Sequence, residues 1–547
     1  MSKEIEEQLE GQTVTHVFAP VGVGSFAQAN TTHFRSKDRS TSVIGAEPDV
    51  AACLWKSLKA GRSTTINTVH TIMAGLDCGT VSTTAWPILS KGIRASLTVS
   101  DFEAHAASVY LASQGLSVGP CGASTVAALR RLSEDDKARL AINSDSIIVL
   151  PCTEGAREYN SPLDVSIDDA VALTQTLVRI NSANPSMGSI PGPGETAIAN
   201  YIAAWLEHRD LETHWIEPTR GRPSVVVGVS RGTGGGKSLM FNGHIDTVTL
   251  VGYEGEPLSG KIENGKLYGR GAADMKCGVA AAMIALANSK RLNLRGDAIF
   301  AGVADEEDLS IGTEDIPKVG WRADGAIVNE PTDLCVVDSH KGFVWLEVDI
   351  HGVASHGLKA DLGVDAIAKA GHFLAELDHY ALRLQESRPE SSVGPPTIHA
   401  SLIKGGEEAS SYPANCSITL ERRTIVGETE SSVEDEIREM LEDIRKRVDG
   451  FSFSLRVTAS RPALDKPEDS SFCDLVCEEI GIAMGKPPTV KAEPYWTDCA
   501  LLAAEKIPAL LWGPIGEGLH AKEEWADVES IRIVAKALTA ICGRFCS

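Results

Sequence analysis

The chain has 547 residues, of which 43% are hydrophobic and 23% are charged, proportions that are usual for a globular protein. Its formal net charge of −23 at pH 7 argues against nucleic acids and anionic membrane surfaces as main partners, because both require a basic face. No apolar stretch approaches the ~18 residues that cross a bilayer, and the N-terminus lacks the apolar segment of a secretory signal. The 12 cysteines are scattered singly, which indicates reduced thiols, so we expect a cytoplasmic protein.

The N-terminal part of the chain has the pattern of an α/β unit. A short β-branched run leads into a loop that contains Gly22 and Gly24 and then into a helical stretch. Further on, Ser100 opens a capping box, which predicts the start of an apolar-periodic helix. A polar stretch at 153–166 predicts a domain boundary, so we assign residues 1–155 to one unit.

Beyond that boundary the pattern is again α/β, but one block interrupts it. The block is bounded by two strands with alternating apolar residues, 344–350 and 451–457, and it contains an amphipathic helix between them. We therefore predict an α/β domain over 160–345 and 457–547, with a small α+β domain over 346–456 inserted into it.

Four apolar runs of the predicted α/β domain end in residue types that bind metals, and a fifth candidate lies in a glycine-rich turn. The candidates are His244 with Asp246, Glu306 with Glu307, Glu330, His520 and, in the turn, Asp274. Because open α/β sheets bind ligands at the carboxyl ends of their strands, we expect these side chains to share one crevice. Any single one of them is better explained as a polar loop residue, so the indication comes from their recurrence at the same kind of place.

The chemistry of this residue set predicts a pair of divalent ions. Two histidines with several carboxylates suit Zn²⁺, with Co²⁺ or Mn²⁺ as alternatives. Two ions about 3.5–4 Å apart need a bridging carboxylate and share a water molecule. Of the adjacent Glu306 and Glu307, one can bind a metal while the other stays free as a general base. Asp246 can orient the imidazole of His244 through its second nitrogen.

The motifs NGHIDTV, GRGAADMK, ADEED, NEPT and GPIGEGLHAKEEW resemble, in the same order, those of the co-catalytic zinc amidohydrolases. That family includes acetylornithine deacetylase, succinyl-diaminopimelate desuccinylase, aminoacylase and glutamate carboxypeptidase, and the resemblance covers about residues 160–547. It implies a zinc-binding α/β domain interrupted by a lid domain that often forms a homodimer.

The resemblance also implies a role for each ligand candidate. His244 and Glu330 would hold one zinc ion, and Glu307 and His520 would hold the other. Asp274 would bridge the two ions.

Four further residues receive roles from the same resemblance. Glu306 would be the general base, and Asp246 would orient a histidine ligand. His356 in HGVASHG resembles the family histidine that reaches the partner subunit's active site and stabilises the oxyanion. Arg423 in LERRT resembles the arginine that binds the substrate carboxylate, with Arg422 as the competing candidate.

The sequence departs from the family pattern at one position. Relatives often carry an asparagine shortly before the proline of the segment that matches GGEEASSYP, where this chain has Ser410. The departure bears on how a substrate carboxylate is recognised, and it leaves the metal ligands unaffected.

The N-terminal motifs FAPVGVGSFAQA, GAEPD, TIMAGLDCG, GPCGAS and LPCTEGA resemble the C-terminal portion of diaminopropionate ammonia-lyase, a type II pyridoxal-phosphate fold. The resemblance implies that Gly22 and Gly24 lie in the loop that holds the cofactor phosphate. The Schiff-base lysine of such enzymes lies well upstream of this loop, whereas here only Lys3 precedes it. Cys121 stands where relatives usually have Ser or Thr. We therefore expect a partial lyase-like unit with a vestigial phosphate loop and without bound pyridoxal phosphate.

The leading hypothesis is a di-zinc amidohydrolase that acts on a small N-acyl amino acid or dipeptide with a free carboxylate. It would form a homodimer through the lid and would have neither nucleic acid nor membrane as a partner. One alternative is a pyridoxal-phosphate lyase that is completed by another polypeptide, and another is a catalytically degenerate fusion used for binding. The presence of Glu306 beside all five ligand positions argues against the degenerate fusion.

Overall fold

A computed structural model describes residues 2–9, 11–37, 40–68, 70–219, 222–387, 391–467 and 469–547. The chain divides into two compact units. The first comprises Met1–Ile167 and Asn200–Thr213, and the second comprises Asp168–Ala199 and His214–Ser547. Within the described residues, every helix is too short or too polar to cross a membrane.

The first unit is built on a four-stranded parallel sheet. Its strands are β1 (His16–Pro20), β2 (Ser42–Pro48), β3 (Ala95–Val99) and β4 (Ile148–Val149). Its helices are α1 (Ser2–Gln8), α2 (Ser25–Lys37), α3 (Cys53–Ala60), α4 (Trp86–Gly92), α5 (Asp101–Ser113), α6 (Pro120–Arg131) and α7 (Glu134–Leu140). The strand order is β3-β2-β1-β4, and all neighbouring strands are parallel.

Helices cover both faces of this sheet, as parallel sheets require. Phe18 and Ile44 contribute to the core on one face, and Leu54 contributes to the core on the other. The predicted capping box at the start of α5 is confirmed: the Ser100 hydroxyl accepts a hydrogen bond from the Glu103 N–H at 3.2 Å. The α/β character predicted for the N-terminal part is confirmed as well.

The second unit is built mainly on an eight-stranded mixed sheet. Its strands are β5 (Glu212–Ile216), β6 (Val225–Ser230), β7 (Leu239–His244), β10 (Ala298–Val303), β11 (Gly325–Val328), β12 (Val336–His340), β19 (Val490–Glu493) and β20 (Ala509–Leu511). The helices that accompany it are α8 (Ala170–Arg179), α10 (Cys277–Ser289), α11 (Ile311–Lys318), α14 (Ser471–Met484), α15 (Cys499–Ala504) and α16 (Val528–Phe545). The division between the two units falls within α9 (Thr196–His208), after Ala199, and within β5, after Thr213. The strand order is β19-β12-β20-β11-β7-β10-β6-β5, and the central strands β20, β11, β7 and β10 are parallel.

A second, antiparallel sheet is inserted between β12 and β19, and we call it the lid. Its strands are β13 (Gly342–His351), β15 (Thr397–Gly405), β17 (Asn415–Thr424) and β18 (Ser452–Arg461), in the order β15-β17-β13-β18. The helices α12 (Ala366–Glu386) and α13 (Glu430–Arg447) cover one face, and the short strands β14 (Ser355–His356) and β16 (Ser411–Tyr412) pair with each other. Alternation decides which face is covered, since Val344 and Leu346 of β13 pack with Ile437 and Leu441 of α13. The inserted α+β layer predicted from the sequence is confirmed as part of the fold class, and the boundaries 346–456 stay a prediction.

A small four-stranded sheet joins two distant parts of the second unit. Its strands are β8 (Lys261–Glu263), β9 (Lys266–Tyr268), β21 (Gly516–Glu517) and β22 (Trp525–Asp527), in the order β21-β22-β9-β8. Trp525 of β22 pairs with Tyr268 of β9. This pairing brings the glycine-rich turn after β9 next to the loop between β21 and β22.

Candidate metal centre

Most of the candidate ligands lie at or just after the ends of three neighbouring parallel strands, at the same edge of the large sheet. β7 ends at His244, β10 is followed by Glu306 and Glu307, and β11 is followed by Glu330. In the sheet register Val303 of β10 lies opposite His244, so the side chains that follow the two strands emerge together. The location at the carboxyl ends of parallel strands is the one expected for a ligand site in an open α/β sheet.

The remaining two ligand candidates come from the two segments that the small sheet joins. Asp274 lies in the turn Ala272–Lys276 after β9, and His520 lies in the loop between β21 and β22. His520 has a φ of 59°, in the left-handed region, which is uncommon for a residue other than glycine.

Asp274 lies between the two imidazoles with one oxygen towards each. Its Oδ1 is 3.0 Å from Nε2 of His244, and its Oδ2 is 3.3 Å from Nε2 of His520. Glu330 approaches His244 with an Oε1 to Nε2 distance of 3.7 Å, and Glu307 approaches His520 with an Oε2 to Nε2 distance of 2.9 Å. The geometry therefore separates two imidazole and carboxylate pairs, with Asp274 in the position of a bridging carboxylate.

Glu306 lies in the His244 half of the centre. One group of potential metal ligands is formed by His244, Asp274 and Glu307, and a second is formed by His244, Glu306 and Glu330. Within each group the ligand atoms lie within 4.8 Å of one another. Glu306 is therefore close enough either to bind a metal or to act on a molecule bound to one.

Asp246 lies behind the candidate ligands and contacts His244, Glu306 and Glu307. Its Oδ1 lies 3.5 Å from Nδ1 of His244, on the ring edge opposite Asp274. Its two oxygens also accept hydrogen bonds from the N–H groups of Glu306 and Glu307, at 3.2 and 3.3 Å. The carbonyl oxygen of Asp246 also lies 3.2 Å from Nδ1 of His244, and acceptors on Nδ1 leave Nε2 free to bind a metal, as acceptors behind histidine ligands do.

The ionisation of the metal-free centre follows from its crowded carboxylates. Burial alone would lower the pKa of His244, but hydrogen bonds to Asp246 and Asp274 outweigh it and raise the pKa well above its usual value. Hydrogen bonds to Asp274 and Glu307 raise the pKa of His520 to about 10. Without metal, the two imidazoles therefore carry the positive charge that the carboxylates require. The donor set of two imidazoles and several carboxylates fits a pair of divalent ions of the Zn²⁺ type.

Three buried polar residues near the centre, Glu524, Arg270 and Asp498, are not predicted from the sequence. The carboxylate of Glu524 accepts hydrogen bonds from the N–H of Asp274 and from Arg270, at 3.0 and 2.9 Å. Asp498 accepts a hydrogen bond from Thr313 at 2.7 Å, and its other oxygen is buried without a partner within the described residues. In the sequence Glu524 looks like one more acid of an exposed loop, and Asp498 looks like the cap of the following helix, so no local signal marks them.

The structure places Arg423 and Arg422 on opposite faces of the lid sheet. Arg422 is fully buried and forms an ion pair with Glu428. Arg423 lies on the face without helices, 3.0 Å from a carboxylate oxygen of Glu421, with its guanidinium 5.7 Å from the ring centre of Phe343. Of the two candidates, only Arg423 is therefore accessible to a substrate.

His356 lies on the lid, outside both groups of potential ligands in this chain. It is exposed on β14, where its Nδ1 accepts a hydrogen bond from the Leu358 N–H at 3.2 Å. Ser410 lies beside it, since its carbonyl oxygen accepts a hydrogen bond from the Gly357 N–H at 2.8 Å.

The glycine loop of the first unit precedes helix α2. Gly24 has a φ of +92°, and a Cβ atom there would lie 2.8 Å from a side-chain carbon of Leu89. A Cβ atom at Gly22 would lie 2.9 Å from the carbonyl oxygen of Gly75, so both positions require glycine. Burial raises the pKa of Cys121 to about 11, which keeps it a neutral thiol and a weak hydrogen-bond partner. The side chain of Lys3 lies outside the described residues.

Comparisons with known families match both parts of the chain. Residues 240–544 match the model described as peptidase family M20/M25/M40, and residues 1–153 match the model of pyridoxal-phosphate dependent enzymes. The resemblance of the C-terminal part to the zinc amidohydrolases is thereby confirmed. The resemblance of the N-terminal part is confirmed at the level of pyridoxal-phosphate dependent enzymes.

Curated relatives and solved structures agree with the match of the C-terminal part. Acetylornithine deacetylase of Myxococcus xanthus is 28% identical over 327 residues, which cover 58% of this chain and 84% of that protein. The enzyme of the same name from Photorhabdus laumondii is 26% identical over 395 residues, 70% of this chain and 99% of that protein. An M20 family metallo-carboxypeptidase from Sulfolobus solfataricus is 17% identical, with a TM-score of 0.57 over 69% of this chain and 99% of its own. The Bacillus subtilis YXEP protein, described as a dinuclear metal binding peptidase, is 19% identical with a TM-score of 0.52, over 68% of this chain and 96% of its own.

Proposed function

We propose, because the chain belongs to peptidase family M20/M25/M40, that it hydrolyses the amide bond of a small N-acyl amino acid or dipeptide at a centre of two metal ions. One observation carries the proposal. Asp274 presents one carboxylate oxygen to each of two histidines, and an additional carboxylate, that of Glu306, lies beside the pair. A purely structural ion site needs neither a bridge nor an additional acid.

The two ions would be held by separate sets of ligands. His244 and Glu330 would hold one, His520 and Glu307 would hold the other, and Asp274 would contact both. Imidazole nitrogen and carboxylate oxygen favour Zn²⁺, and Co²⁺ and Mn²⁺ accept the same donors. When bound, such ions polarise a carbonyl group and lower the pKa of a bound water.

The chain's own residues supply the proton transfers. Glu306 accepts the proton of the attacking water and later donates it to the leaving nitrogen. In the metal-free centre burial raises the pKa of its carboxyl group well above the usual value, which makes it a stronger base than an exposed glutamate. Asp246 fixes both the imidazole of His244 and the N–H of Glu306, which keeps the base in place relative to the ligands.

The proposed substrate carries a free carboxylate, and Arg423 binds it. The guanidinium of Arg423 is half-buried on the open face of the lid sheet, and its planar fork suits bidentate binding of a carboxylate. The relatives named acetylornithine deacetylase support a deacetylase-like activity on an amino acid of this kind.

We also propose a homodimer that joins two lids, with His356 serving the active site of the partner subunit. Strand β15 is the outermost strand of the lid sheet, and its residues Leu402 and Ile403 are exposed. An exposed apolar edge strand is suited to pairing with a second copy. His356, exposed on the same lid, would there donate a hydrogen bond to the oxyanion of the substrate. The cytoplasm remains the proposed location, and it agrees with the 12 free cysteines.

The N-terminal unit is proposed to be a lyase fold that has lost its cofactor chemistry. Among the described lysines of this unit, Lys56 and Lys59 lie over the ring of Trp55, and Lys137 pairs with Glu134, so these three are engaged in other contacts. Lys91 is exposed in the last turn of α4. The alternative, an active pyridoxal-phosphate enzyme, would give the purified protein an absorbance band of a lysine-bound cofactor.

Metal content combined with hydrolysis assays tests the proposed function. We expect about two zinc ions per chain and the release of free amine from N-acetyl amino acids or dipeptides, both abolished by a chelator. N-acetyl amino acid amides serve as the matched control, since they lack the carboxylate that Arg423 would bind. A protein that turns over no member of this panel after reconstitution with zinc contradicts the proposal.

A further inference from the structure

We propose that Glu524 and Arg270 are positioning residues that hold two segments of the metal centre, the Asp274 turn and the His520 loop, at one fixed separation. The proposal rests on the metal centre of the proposed function. It adds a requirement that lies outside the ligand set, namely a buried ion pair on which the placement of the bridging carboxylate depends.

The carboxylate of Glu524 is buried beneath the Asp274 turn. Its Oε1 accepts hydrogen bonds from the N–H groups of Ala273 and Asp274, at 2.9 and 3.0 Å. Its Oε2 accepts hydrogen bonds from the Gly271 N–H at 3.0 Å and from Nη1 of Arg270 at 2.9 Å. These bonds fix the backbone of the turn directly at the residue that presents its oxygens to both histidines.

Arg270 connects the carboxylate of Glu524 to the His520 loop. While Nη1 donates to Glu524, Nη2 donates to the carbonyl oxygen of Ala521 at 2.9 Å, and Ala521 follows His520 in the chain. The planar guanidinium therefore spans the distance between the carboxylate and the His520 loop. A lysine has one nitrogen in place of this rigid fork and reaches only one of the two acceptors at a time.

The backbone of Glu524 is itself held in place. Its carbonyl oxygen accepts a hydrogen bond from the Gly269 N–H at 3.1 Å, next to the pairing of β22 with β9. The small sheet thus sets the approximate distance between the two segments, and the Glu524 and Arg270 side chains set the final position of Asp274 and His520. Groups behind metal ligands commonly change metal affinity by 10-fold to 100-fold when they are replaced.

Substitution of Glu524 in the full-length protein tests this role. Glutamine keeps the shape of the side chain but turns one oxygen into a donor that faces N–H groups. We expect E524Q to bind the second of two Co²⁺ or Zn²⁺ ions about 10-fold to 100-fold more weakly, and to change the visible absorption spectrum of the Co²⁺-loaded protein. E523Q is the matched control, because Glu523 is exposed on the same loop, and it should bind both ions like the unmodified protein.

R270K is the second variant, because it keeps a buried positive charge beside Glu524 and so spares the fold. We expect it to weaken the same ion as E524Q, and the double variant to be little weaker than E524Q alone. Equal metal-free melting temperatures would assign the loss to positioning. Unchanged affinities and an unchanged Co²⁺ spectrum in both variants would overturn the proposal. Because metal affinity is measured without substrate, a protein that binds two ions but hydrolyses nothing refutes the proposed function and leaves this inference intact.

Discussion

Replacement of Glu306 by glutamine separates a general base from a metal ligand. Glutamine has nearly the same size and leaves the Asp246 hydrogen bond to the residue 306 N–H in place, since that bond involves the backbone. It removes the group that accepts and returns the proton. The location of Glu306 with His244 and Glu330 allows either role, so the variant decides between them.

The expected loss in kcat is about 10³-fold to 10⁴-fold, the upper part of the range for general acid–base catalysis. We choose the upper part because one carboxyl group would serve both the attack of water and the departure of the nitrogen. At about 1.4 kcal/mol per factor of ten, this corresponds to about 4 to 5.5 kcal/mol of transition-state stabilisation. Metal content should stay at that of the unmodified protein, since the Asp274, Glu307 and His520 contacts do not involve this side chain.

The assay is the turnover of an N-acetyl amino acid together with metal analysis of the same sample. The E307Q variant is the comparison, because Glu307 contacts His520 and its loss should release an ion. If E306Q turns over substrate at a near-normal rate, Glu306 is not the base. If it loses one ion as E307Q does, Glu306 is a ligand and the proton carrier must be sought elsewhere.

Three more outcomes follow from the structure. H356A should lower turnover about 10²-fold at unchanged metal content, and a loss of metal would show that the proposed role of His356 at the oxyanion is wrong. R423A should raise KM about 10-fold to 100-fold for substrates with a free carboxylate and leave the KM for their amides unaffected. R456A is the control, because Arg456 of β18 is exposed and pairs with Glu347, and it should change neither KM. The metal-free protein should lose thermal stability as the pH rises from 6.5 towards 10, because the proton that stabilises His520 between its carboxylates is lost in that interval. H520Q should flatten this slope in a melting series, and an unchanged slope would refute the assignment.

The grouping of the candidate ligands could be predicted from the sequence because most of them lie at strand ends. A parallel strand that is buried on both faces forms a short apolar run, and the residue after it emerges at the carboxyl edge of the sheet. His244, Glu307 and Glu330 all follow such runs, and β7, β10 and β11 lie side by side. The sequence therefore predicts which residues lie at the carboxyl edge of the sheet, although it does not predict the order of the strands.

The support behind the ligands could not be predicted, because it depends on contacts between distant segments. Glu524 acts on a turn about 250 residues earlier in the chain, through a small sheet whose strands are only two or three residues long. Such strands leave no hydrophobic period to detect. The choice between Arg422 and Arg423 likewise required the register of β17, in which Arg423 lies opposite Phe343.

Protons and metal ions should compete at this centre, because its many carboxylates hold protons on both imidazoles. The position of the Asp274 turn should stay the same during this exchange. Without metal, the pKa values of the His244 and His520 imidazoles lie well above the usual value. Each ring must lose its proton before it binds an ion. Metal affinity should therefore rise with pH over the same interval in which the metal-free protein loses stability. The hydrogen bonds of Glu524 come from backbone N–H groups and from a guanidinium, none of which releases a proton in this range. The exchange of protons for metal ions can thus change the charge on the ligands without moving the turn that carries Asp274.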